Sequence, residues 1–160
     1  ADALIHWQSS SEPSPGCAIG VRSADCCPIL LKGEGFVAAI HSGWRGLVTG
    51  VIEECLERIV NRAGTGYALE ACLGPCAGSM SYEIGEEVIE KLPGFAVTRN
   101  TSDGRVFLDL ARSCEASIRR HWPGAVSVYR CEICTISDRR FHSYRRDGSA
   151  SGRNLAFIAV

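Results

Sequence analysis

Mixed β-sheets layered against helices, an α/β (α+β) sandwich, form the fold class this sequence predicts. Three observations predict it. Short apolar runs recur at 27–31, 36–40, 67–73, 106–108 and 125–129, each of strand length. Two stretches with a period near 3.6 lie among them, one over 47–60 and one starting at Asp109. The chain has 160 residues and is 46% hydrophobic and 22% charged, which suits one domain with a sizeable core.

Composition also narrows the function classes. A net charge of -1 provides no general field for nucleic acid or an anionic membrane. No apolar run reaches the ~18 residues of a membrane span, and the N-terminus lacks a secretory pattern. Nine cysteines in spacings unlike a disulfide framework predict free thiols in a reducing cytoplasm. Cys17, Cys55, Cys72 and Cys114 fall in apolar patterns and are expected in the core.

In chain order, residues 1–16 read as a strand fragment followed by a polar loop, Ser9–Ser11 with Pro13 and Pro15. Cys17–Val21 reads as a strand. Cys27–Leu31 and Phe36–Ile40 read as a hairpin joined by Lys32-Gly33-Glu34-Gly35. Antiparallel pairing through that turn would make Cys26 and His41 neighbours at one sheet end. Leu47, Val48, Val51, Ile52, Cys55, Leu56, Ile59 and Val60 paint one face of a single helix, with Glu53, Glu54, Glu57 and Arg58 toward water, ended at Ala63–Gly66. Its first turn, with Arg45, could hold an anion near Cys26.

Tyr67–Leu73 is the next strand, running into the small-residue loop Gly74–Ser79. A short helix through Val88, Ile89 and Leu92 stops at Pro93-Gly94, and Phe95–Thr98 reads as a strand. After Val106–Leu108, Asp109 caps a helix bearing Leu110, Cys114 and Ile118. Ala125–Tyr129 and Leu155–Val160 read as strands. Cys131-Glu132-Ile133-Cys134 is a Cys-x-x-Cys pair without the second pair a zinc ribbon needs. Arg139, Arg140, Arg145, Arg146 and Arg153 form a local basic segment suited to phosphate or carboxylate.

Two chemistries suit the Cys26–His41 pair. Cys26 can be a nucleophile with His41 as base and Asp25 or Asp109 as orienting acid. Alternatively, Cys26 and His41 can bind zinc or copper. An interaction module with structural thiols is the third reading, and it leaves the polar cluster unexplained.

Ser23-Ala24-Asp25-Cys26 with Pro28, then His41-Ser42-Gly43-Trp44-Arg45-Gly46, resembles the multicopper polyphenol oxidase (laccase) family, also called YfiH or DUF152. Leu73–Gly78, Tyr82–Gly85, Phe107–Leu110, Cys134-Thr135, Phe141–Gly148 and Gly152-Arg153 match in the same order, so the resemblance covers nearly the whole chain. It implies an α/β sandwich carrying a zinc-type site whose cysteine is Cys26 and whose second histidine is His41. It implies purine nucleoside phosphorylase activity, with adenosine deamination and methylthioadenosine cleavage. Laccase, cysteine hydrolase and peptidoglycan-precursor editing activities are the alternatives described in the family.

The expected catalytic residues are Cys26, His41, Asp25 and Arg45. Arg145, Arg146, Gly74 and Tyr82 are expected at the substrate. The partners expected are a purine nucleoside and phosphate, with no nucleic acid or membrane. Family members carry their first metal-ligand histidine upstream of the position resembling Ala1–Leu4, so residues 1–160 are expected to form one domain lacking that segment. His6, His142 and Cys27 are the substitutes for the third ligand. A multicopper oxidase needs many histidines, and this chain has four: His6, His41, His121 and His142.

Overall fold

The hairpin read from residues 27–42 lies at the centre of the main sheet in the computed structural model, which describes residues 2–8 and 16–159. Strand β1 is Ala3–Trp7, β2 Ala18–Ser23, β3 Cys27–Gly33 and β4 Phe36–Ser42. The turn between β3 and β4 is Glu34-Gly35, with Gly35 at φ +77°, a conformation glycine adopts without steric cost. The register pairs Pro28 with His41 and Cys27 with Ser42. Strands β5 (Leu69–Leu73) and β9 (Val126–Arg130) complete a five-stranded sheet in the order β1-β4-β3-β5-β9. The polar loop expected over Ser9–Pro15 lies outside the described residues.

Strand β4 is buried from Phe36 through Ile40, because both faces of the sheet are covered at its centre. On one side lie the helices α2 (Val51–Ala63) and α4 (Leu110–His121). On the other lies a two-stranded sheet of β2 with β10 (Asn154–Ala159). A third sheet has the order β6-β8-β7, from Glu83–Ile84, Val106–Asp109 and Val97–Asn100, and β8 leads directly into α4. The core between sheet and helices includes Ile29, Leu31, Ile40, Ile52, Leu56, Ile59 and Ile118, all fully buried. Truncating one of these to alanine costs about 2–5 kcal/mol.

Several expectations change. Cys17 is half-buried beside His6, not in the core, and Val48 is exposed because it lies on the outer side of its short helix. The stretch 44–63 is two helices, α1 (Trp44–Thr49) and α2, because Gly50 sits at φ +74° and caps both. Its N–H donates to the Gly46 carbonyl, and its own carbonyl accepts the Glu54 N–H at 2.9 Å. Glu53 is half-buried rather than turned fully to water. It accepts a hydrogen bond from the Ser117 hydroxyl at 3.0 Å and so ties α2 to α4. Cys72 is exposed, not in the core, because β5 alternates: Leu69, Ala71 and Leu73 face the helices, while Glu70 and Cys72 face outward. Two short helices, α3 (Glu86–Ile89) and α5 (Tyr144–Asp147), complete the fold used below.

Candidate active site

The bend before β3 aims Cys26 at the end of β4. Asp25 makes that bend at φ +85°, the one non-glycine residue with positive φ among the described residues. Aspartate tolerates this conformation better than branched or bulky side chains do. Three contacts hold it there. The Thr135 hydroxyl donates to Asp25 Oδ1 at 2.7 Å. The Arg145 backbone N–H donates to Oδ2 at 2.6 Å. The Ala77 N–H donates to the Asp25 carbonyl at 2.8 Å. Asp25 thus joins two loops and the first turn of α5 at the base of the site. Both carboxylate oxygens are engaged by these partners, and the carboxylate beside His41 is that of Asp2. Asp109 caps α4, accepting from the Arg112 N–H.

Cys26 and His41 line one cavity of about 820 Å³, with Gly43, Trp44, Arg45 and Asp2. The His41 side chain is 33% exposed, and its Nδ1 lies 3.5 Å from Asp2 Oδ1. The His41 N–H donates to the Asp2 carbonyl at 2.7 Å, which fixes that neighbour along the β1 edge. Gly43 makes room for the thiol: a Cβ there would stand 2.6 Å from Cys26 Sγ. Burial, then the Asp25 carboxylate and the Cys114 and Cys76 thiols, push the Cys26 thiol up to about 11. Arg45 alone pulls it down, and its guanidinium stacks 4.5 Å over the Trp44 ring. Helix α1 has only six residues, so Arg45 and not a helix terminus is the cation on this wall.

Tyr82 and Arg145, expected at the substrate, do not line the cavity but stand beside it on the Asp25 side. The Arg145 guanidinium lies 5.1 Å over the Tyr82 ring. Burial raises the Tyr82 phenol above its usual range, Cys26 adds to the rise, and Arg145 and Arg45 oppose it.

Other residues sit elsewhere. All five Arg146 N–H groups are spent on protein: Nε and Nη2 on the Asp147 carboxylate, Nη1 on the Thr135 and Ile136 carbonyls, and Nη2 on the Phe141 carbonyl. Arg146 therefore braces the loop below Asp25 and has no donor left for phosphate. Gly74 packs on Pro28, where a Cβ would meet Pro28 Cγ at 2.8 Å, and it lines a different groove with Leu30 and Tyr129.

None of the three substitute ligands lines the Cys26 cavity. His6 Nδ1 is 4.0 Å from the Cys17 sulfur. His142 is exposed and stacks on Gly152. Cys27 is fully buried and meets Cys76 and Cys114, whose contacts push its thiol well up. Cys26 and His41 are donors of the kind zinc prefers. Among the described residues no group of three His, Cys, Asp or Glu is placed to hold a metal ion, so these residues do not by themselves fit a zinc centre. The sequence reading missed Asp2 and Gly43. Asp2 carries no local signal, and Gly43 stands out in the sequence only as one residue of the His41–Gly46 motif.

The family model described as multi-copper polyphenol oxidoreductase laccase matches residues 2–160. The chain belongs to this family. A purine nucleoside phosphorylase of Bacteroides thetaiotaomicron is 36% identical over 99% of this chain and 60% of its own length. Adenosine deaminase RL5, from an unknown prokaryotic organism, is 32% identical over 89% of this chain and 58% of its own. The crystal structure of Bacillus licheniformis hypothetical protein YfiH superposes with a TM-score of 0.83 at 22% identity, over 99% of this chain and 61% of that one. The polyphenol oxidoreductase fold is thereby shared across nearly all of these residues, and the chain spans about three fifths of the length of the relatives it matches. Among the described residues, no helix of this family member is long and apolar enough to cross a membrane.

Proposed function

We propose that this chain acts on purine nucleosides, cleaving the glycosidic bond with phosphate and also deaminating adenosine and cleaving methylthioadenosine. The observation that carries the reading is the meeting of Cys26, His41 and Arg45 in one cavity, on a chain whose relatives bear phosphorylase and adenosine deaminase names. A cavity of about 820 Å³ falls in the size range of small-molecule sites. In phosphorolysis a phosphate oxygen forms a bond to C1′ of the ribose, and the purine departs with a proton. Arg45 is the cation on the wall for the phosphate, and Arg145 over Tyr82 is the second cation nearby. Asp2 beside His41 Nδ1 favours the proton on that nitrogen and leaves Nε2 to exchange one with the substrate. Zinc, or copper as the alternative, would instead occupy His41 Nε2, would need a further ligand besides Cys26 and His41, and would supply an activated water for deamination.

The cysteine-hydrolase reading is weaker because burial holds the Cys26 thiol protonated at neutral pH. The laccase reading is weaker because only one of the four histidines, His41, lines the cavity. The test is incubation with adenosine and phosphate, followed by analysis for adenine, inosine and hypoxanthine. Cys26→Ala and His41→Ala are expected to abolish turnover while circular dichroism stays unchanged. Wild-type turnover by either variant overturns the assignment. Activity lost to chelators supports the metal reading, and activity insensitive to them but lost on a single alkylation at Cys26 supports the hydrolase.

A further inference from the structure

A second cavity, of about 310 Å³, shares no lining residue with the first. It is lined by the Cys-x-x-Cys pair, Cys131 and Cys134, together with Gly78, Ser79, Met80 and Ser137. Both cysteines are free and half-buried. The Gly78 N–H donates to Cys134 Sγ at 3.2 Å. A Cβ at position 78 would stand 3.0 Å from Cys134 Cβ and 3.2 Å from its sulfur, so this close approach depends on glycine. Cys134 is fixed from behind as well, by a parallel bridge to Cys76 and by the Thr135 N–H donating to the Cys76 carbonyl at 3.0 Å. Partial burial raises the Cys134 thiol, but the N–H groups of Ser137 and Gly78, the Ser137 hydroxyl and the Ile136 N–H outweigh it and lower the thiol below its ordinary value. Cys26, Cys27 and Cys55 shift the other way. A half-exposed sulfur that accepts the Gly78 N–H, with Ser137 and Ile136 beside it, is favoured as the thiolate, the form that attacks.

We propose that Cys134 is the attacking thiol, and Cys131 the resolving thiol, of a site in this second cavity that exchanges with low-molecular-weight disulfides. The Cys134 thiolate attacks one sulfur of the disulfide. A Cys134–S–S–R bond forms, the R–S–S–R bond breaks, and one thiolate R–S⁻ leaves and takes up a proton. Cys131 loses its proton and attacks the Cys134 sulfur, giving the Cys131–Cys134 disulfide and a second R–SH. The two protein thiols are oxidised and the small disulfide is reduced to two thiols.

The molecule contains its own control in Cys72, which is free and exposed. The full chain is treated with oxidised glutathione near pH 6.5, and the rate at each cysteine is read by peptide mass mapping. Cys134 is expected to react at least about tenfold faster than Cys72, despite lower exposure. Equal or faster reaction at Cys72 overturns the proposal. In wild type the end product is expected to be the 131–134 disulfide, whereas Cys131→Ser stops at the glutathione adduct on Cys134. An adduct that persists equally in wild type removes Cys131 from the resolving role, and a Cys134→Ser variant oxidised at the wild-type rate removes Cys134 from the attacking one.

Discussion

Replacing Asp25 tests how the site is built. Its side chain is 7% exposed and accepts from the Thr135 hydroxyl at 2.7 Å and the Arg145 N–H at 2.6 Å. Asp25→Ala removes both acceptors and leaves two donors short of partners, at about 1–3 kcal/mol each. Alanine also adopts φ +85° less readily than aspartate. The expected loss is about 3–6 kcal/mol, which lowers Tm by roughly 6–24 °C for a chain of this size. Asp25→Asn keeps the backbone preference. Its amide oxygen can accept from Arg145 and its NH₂ can donate to a reoriented Thr135 hydroxyl, so the loss is expected near ~1 kcal/mol. Urea denaturation followed by circular dichroism measures both variants. An alanine variant losing under about 1 kcal/mol, or an asparagine variant as damaged as the alanine one, would refute the view that Asp25 sets the bend.

Other perturbations give distinct readouts. Gly43→Ala is expected to displace the Cys26 thiol, since the new Cβ would lie 2.6 Å from its sulfur; loss of nucleoside turnover with an unchanged denaturation midpoint is the expected pair of results. Arg146→Ala removes the brace to Thr135, Ile136 and Phe141 and is expected to speed amide exchange across 134–147, while unchanged exchange would mean the brace is idle. Burial raises the Cys26 thiol to about 11 and the Cys55 thiol to about 12. The folded chain therefore holds these protons where the unfolded chain, with thiols near 9, releases them. Their stabilisation is complete below about pH 9 and declines as pH rises from there toward 11 and 12. A denaturation midpoint that stays flat from pH 8 to about 10.5 would contradict this.

The sequence by itself determined the hairpin, the two main helical faces and the placing of Cys26 and His41 at one end of the sheet, where they line one cavity. Each rests on local chemistry: apolar runs of strand length, a Gly-rich turn and a 3.6-residue period. The break at Gly50 was also locally encoded, by a glycine between two apolar turns, but the continuous period across it hid the signal. Only the tertiary structure decided that Cys72 faces outward, because the side of β5 left uncovered depends on where β2 and β10 lie. Only it decided that Arg146 is a brace and Arg145 a neighbour of Tyr82, since adjacent residues of one short helix point to different partners. The joining of Asp25 to Thr135 and Arg145 spans more than a hundred positions of chain. No spacing or composition records such a contact, because it is fixed by how the layers pack and not by the residues that flank it.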